Sequence, residues 1–160
     1  KEVNYNPVVF MLSKDRISIY GNTINMIKHH PFVGVGVNTF SRNYGKYKTE
    51  SAEKYVHTPD TVYSNNIYLQ MAGEIGLLGL IAFIIFLFLI FKHAFNSYFN
   101  LKDEYLRAIS ISLVACLFAF LVNGLTETSL YNARVAMIFW FLIGVSLSLK
   151  RFVIEPQTNS

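Results

Sequence analysis

The chain has 160 residues, 52% of them hydrophobic, a formal charge of +4 and one cysteine. Cations this few and this scattered give no basic stripe for nucleic acid. A single thiol, Cys116, makes no internal disulfide and reads as a small apolar packing residue. The apolar excess is uneven: residues 1–65 hold eight of the fourteen Lys/Arg and five of the ten Asp/Glu, and the remainder is long apolar stretches with charges at their ends. Such stretches suit the bilayer, since about 20 residues of helix cross its hydrocarbon core.

In chain order, residues 1–12 are a mixed lead-in. A helix near 13–30 follows, capped at Ser13, with an apolar rhythm of Ile17, Tyr20, Ile24 and Ile27 that reads as amphipathic. Pro31 stops it near His30. Gly34 and Gly36 in the next segment supply a turn, because the glycines do not follow a strand and lack the spacing of a nucleotide loop. Residues 41–61 are polar and read as a surface loop, with Lys/Tyr spacing that suits either sugar binding or plain exposure. Ser64, Asn65 and Asn66 offer caps for a transmembrane helix at 65–92. A linker at 93–107 leads to a second span at 108–126, where Ser110, Ser112, Ala115, Ala119 and Gly124 suit close helix packing. A turn at 127–132, a third span at 133–149 and a polar tail at 150–160 complete the chain. The fold class is therefore all-α membrane protein, polytopic, with a partly helical loop outside the bilayer.

Lys/Arg counts on the short connections set the orientation. Lys92, Lys102 and Arg107 on the linker, with Lys150 and Arg151 on the tail, make that side cytoplasmic. The head, 1–64, and the 127–132 turn are then extracytoplasmic. An outward head needs a span ahead of it to carry it across, so further N-terminal spans of the same protein are expected, and the chain reads as the C-terminal portion of a larger bundle.

The head and the outer turn bring together Arg16, Lys28, His29, His30, Arg42, His57, Asn65, Asn66, Gln70, Glu74, Glu127 and Arg134. Glu74 lies about two turns into a membrane-entering helix, where a carboxylate is expensive unless paired or facing water. It reads as an acid facing a cavity, or as a solvated group at headgroup level. Gln70 precedes it by one turn on the same face. Arg16 and Arg134 are able to grip a diphosphate bidentately, or simply to snorkel to the interface. His29 and His30 are adjacent and diverge on a helix, so no metal site is expected. His57 is a proton carrier near neutral pH or a solvated loop histidine.

Three segments then carry a resemblance. The Arg16–Phe40 run with HHPFVGVGVNTF, the Ser64–Leu80 segment SNNIYLQMAGEIGLLGL, and LYNARVAMIFWFLIG at Leu130–Gly144 resemble, in order, motifs of the O-antigen ligase and polymerase family. The resemblance implies about a dozen spans in a bacterial cytoplasmic (inner) membrane. It also implies metal-independent, inverting transfer of glycan from an undecaprenyl diphosphate carrier to a sugar hydroxyl, in surface polysaccharide synthesis. The implied partners are the lipid-linked oligosaccharide, a glycan acceptor and membrane lipids, with no cofactor. Arg16 matches a diphosphate-holding arginine; Asn66, Gln70 and Arg134 join it as substrate-binding candidates. Asn65 stands where ligases carry a histidine base. A neutral amide does not accept a proton, so His57, Glu74 and Asn65 are the catalytic candidates, and a polymerase-like member is favoured over a lipopolysaccharide ligase. The alternative is a non-catalytic or transport-type component of the same pathway. Transport predicts charged or broken mid-span residues, and the span centres carry no charge.

Overall fold

The computed structural model describes residues 14–48 and 62–149, all helix, turn and loop, with no strand among them. Helix α1 is Lys14–His29, α2 is Phe40–Tyr44 followed by a 3₁₀ turn at Gly45–Tyr47, α3 is Ile67–Asn100, α4 is Glu104–Asn123, and α5 is Ala133–Ser148 after a 3₁₀ turn at Ser129–Tyr131. The chain forms two compact units, Lys1–Ile81 with Thr126–Thr128, and Ala82–Leu125 with Ser129–Ser160.

The first unit packs α1 against α2. Met26, Phe40, Tyr44 and Val62 form its buried cluster, with Ile19, Val35 and Tyr47 packed around them. The buried face of α1 is not the apolar rhythm of the sequence. Asn22, Thr23 and Met26 are fully buried, whereas Ile17 and Ile24 are 56% and 45% exposed. The polar residues are tolerated inside because each finds a partner: Asn22 Nδ2 donates to Tyr44 Oη at 2.8 Å, and Thr23 Oγ1 donates to the Ile19 carbonyl at 2.7 Å. Burial holds the Tyr44 hydroxyl above its ordinary ionisation range, with the Asn22 bond opposing that shift. The expected cap at Ser13 lies outside the described residues. The helix ends at His29, just before Pro31, as its chemistry requires.

The second unit is a three-helix arrangement around Leu87, Ile90, Leu117, Phe139 and Ile143. Phe139 is its centre: its ring stacks on Phe120 with centroids 4.8 Å apart and meets Trp140 edge-on at 5.4 Å. Ser110 is the small residue that permits close approach, its hydroxyl donating to the Ala94 carbonyl at 3.2 Å. Ser112, Ala115 and Ala119 lie on the exposed side of α4 instead. The packing face is Ser110, Leu113, Val114 and Leu117, because bulky apolar side chains fill the space between helices better than alanines.

α3 runs on to Asn100, past Lys92, where the sequence reading ends it. No proline or glycine interrupts Lys92–Asn100, so nothing stops the helix, and the connection shrinks to Leu101–Asp103. Asp103 then caps α4 by accepting from the Tyr105 and Leu106 amides. Asn132 caps α5 through the Arg134 amide at 3.1 Å.

α3 and α4 are long and apolar enough to cross a membrane, and only 22% of the most apolar window of each is buried. A soluble protein's core helices would be mostly buried, and with length, composition and exposure together the chain is an all-α membrane protein. α5, with 16 residues, spans about 24 Å, short of the ~30 Å core on its own.

Candidate functional site

The first unit is organised by a break in α3. Gly76 has φ 72° and ψ 179°, so the helical hydrogen bonds are interrupted there. The turn after Pro31 takes up the groups this leaves. The Val35 amide donates to the Gly73 carbonyl at 3.0 Å, the Gly36 amide to the Glu74 carbonyl at 2.9 Å, and the Leu77 amide to the Pro31 carbonyl at 2.7 Å. Backbone lies directly on backbone. A Cβ on Gly34 would overlap the Glu74 main chain, and one on Gly76 would overlap Phe32 and Val33. Both positions also need positive φ, which favours glycine.

Glu74 completes this lock. It is 1% exposed, and a buried carboxylate must be hydrogen-bonded. Its Oε2 accepts from the Asn38 amide at 2.8 Å. Its Oε1 accepts from the Phe40 amide and from Gln70 Nε2, both at 3.2 Å. Glu74 thereby serves the start of α2. Gln70, also fully buried, extends the network, its Oε1 accepting from the Ser64 amide at 2.8 Å. Asn66 is the α3 cap: its Oδ1 accepts from the Tyr68 and Leu69 amides, both at 3.0 Å. Beside these residues lies a cavity of about 360 Å³, with Asn38, Ser41, Arg42, Tyr63, Gln70 and Glu74 among its lining.

Tyr20 ties α1 to the segment that leads into α3. Tyr20 lies one turn after Arg16 on the same face of α1, and its hydroxyl donates to the Asn65 carbonyl at 3.3 Å. Asn65 adopts φ 50°, a left-handed geometry that asparagine tolerates better than most residues. The Arg16 guanidinium is 15% exposed, 3.9 Å from Glu127, and donates to the Thr126 carbonyl at 3.4 Å.

Thus Glu74 and Gln70 touch, Tyr20 bonds the Asn65 carbonyl while Arg16 bonds Thr126 and pairs with Glu127, and Asn66 is committed through its side-chain oxygen to capping. Arg134 stands exposed in the first turn of α5, in the second unit. His57 lies outside the described residues. His29 Nδ1 sits 2.8 Å from the Asn25 carbonyl and His30 Nε2 2.8 Å from Tyr47 Oη. Tyr20, Asn38 and Tyr44 carry contacts that sequence reasoning missed. Tyr20 was visible only as part of an apolar rhythm, and Asn38 only as the residue closing a glycine turn.

Residues 10–84 match the model of a family described as O-antigen ligase. No curated protein and no solved structure matches the chain.

Proposed function

We propose that the chain, whose residues 10–84 match the O-antigen ligase family model, transfers glycan from an undecaprenyl diphosphate carrier to a sugar hydroxyl, as the C-terminal part of a polymerase-like enzyme. An O-antigen ligase or polymerase type of function in surface polysaccharide synthesis is what the family match supports. The observation that supports the finer reading is the hydrogen bond from Tyr20, one helical turn after Arg16, to the Asn65 carbonyl, which links two of the family-like segments.

In this reading Arg16 receives the diphosphate. Its ion pair with Glu127 is long at 3.9 Å, and Glu127 is 54% exposed; a diphosphate offers the guanidinium two parallel charge-assisted hydrogen bonds instead. The acceptor oxygen attacks the anomeric carbon with inversion, the bond to the diphosphate oxygen breaks, and the electron pair leaves with the diphosphate, whose charge Arg16 stabilises. The Asn65 amide orients the acceptor hydroxyl. Glu74 holds the Asn38–Phe40 segment in place, because protein donors already occupy both its oxygens. His57 then takes the acceptor proton, since imidazole is the side-chain base best suited to neutral pH. The polar cavity beside Gln70 suits a sugar of the acceptor. The head faces the extracytoplasmic side of the inner membrane.

The test is the surface glycan ladder of cells carrying the full-length gene. Arg16→Ala and His57→Gln are expected to shorten or abolish the ladder at unchanged protein level. Wild-type chain length and abundance in both variants would sink the enzyme reading.

A further inference from the structure

The turn that locks onto Gly76 leaves three large apolar side chains outside. Phe32, Val33 and Val37 are 67%, 76% and 73% exposed, although the turn that carries them is tied to α3 by three backbone hydrogen bonds. Water is a poor environment for such a cluster, which is larger than the scattered apolar residues of an ordinary surface.

The place of the turn along α3 says what covers it. The Leu77–Pro31 hydrogen bond of 2.7 Å pins the turn to the start of the charge-free run Ile75–Phe91. At that same level Leu77 and Leu78 turn outward, 42% and 59% exposed. The turn's apolar tip therefore lies at the level of exposed apolar residues on a helix long and apolar enough to cross a membrane.

Irregular backbone at this depth is tolerated only when its polar groups are satisfied within the protein. The Val35 and Gly36 amides and the Pro31 carbonyl are all bonded to the broken helix, so the turn enters an apolar layer without leaving those groups bare. Lys28, His29 and His30, all exposed, precede the tip, and basic residues beside an apolar wedge suit anionic headgroups.

We infer that the 31–37 turn is an interfacial wedge, seated at the boundary between headgroups and acyl chains and held there by the Gly76 break, with phospholipid as its partner. The wedge fixes the height of the Asn38–Phe40 segment and its cavity above the bilayer. It does so whatever chemistry the site performs, so its failure is separable from that of the transfer reading.

Depth-dependent fluorescence tests it on the full-length chain in vesicles of phosphatidylcholine with phosphatidylglycerol. Phe32→Trp, Val33→Trp and Val37→Trp are made singly in a background where the other tryptophans, Trp140 included, are phenylalanine. The expected result is blue-shifted emission, loss of intensity with lipids brominated near the headgroup end of the acyl chain, and little loss with acrylamide. Strong acrylamide quenching would place the tip in water and overturn the inference. Quenching by neither agent would mean that protein covers the tip, and would overturn it equally.

Discussion

At the residue scale the first unit depends on a few positions that admit one side chain. Gly34 and Gly76 combine positive φ with backbone contact where a Cβ would stand. Gly34→Ala and Gly76→Ala are each expected to lose more than about 1 kcal/mol, read as a lower unfolding temperature in detergent. Gly45→Ala is the control, with a helical φ of −59° and open space around it, and it is expected to leave stability unchanged. Tyr44→Phe leaves the buried Asn22 amide without its acceptor, at a cost of about 1–3 kcal/mol. Tyr44 ionises above its ordinary value, so the folded state binds its proton more tightly than the unfolded chain. Its contribution is intact below about pH 10 and is lost as pH rises beyond that. In Tyr44→Phe that part of the alkaline loss is expected to disappear from pH-dependent melting curves.

At the scale of elements, the helices were legible where local chemistry marks them and illegible where tertiary partners decide. Pro31 marks the end of α1, and Asn66 is readable as a cap because asparagine bonds the free amides of a first turn. The inward face of α1 was not readable. The Ile17, Tyr20, Ile24, Ile27 rhythm points to burial of isoleucine, yet Tyr44 and the Ile19 carbonyl satisfy Asn22 and Thr23 inside, and two isoleucines stay out. The end of α3 was placed too early because Lys92 and His93 look like an interface, but charge alone does not end a helix. Glu74 was recognisable as anomalous from its depth in an apolar helix. Its partners were not, because the Asn38 and Phe40 amides come from more than thirty residues away. That network predicts a distinct outcome for Glu74→Gln. One amide donor then faces another, destabilising the unit by about 1–3 kcal/mol and making the 36–40 turn more open to proteolysis. A residue that positions the turn leaves the pH profile of transfer unshifted in whatever fraction stays folded, whereas loss of a proton acceptor would change that profile.

At the scale of the molecule, the chain is a membrane protein with two helices long and apolar enough to span the bilayer, and residues 10–84 match the O-antigen ligase family model. The proposed reaction asks little covalent chemistry of the chain: a cation where the diphosphate leaves, and an oriented acceptor. Arg16 carries that claim. The decisive measurement is glycan transfer by the purified full-length protein in lipid, with an undecaprenyl-diphosphate-linked donor and Arg16→Ala, Arg16→Lys and wild type compared. The account predicts a loss of about a hundredfold or more in kcat/KM for Arg16→Ala. Arg16→Lys is expected to recover part of it, because an ammonium restores the charge but not the bidentate geometry. Wild-type kcat/KM in folded Arg16→Ala would contradict the account.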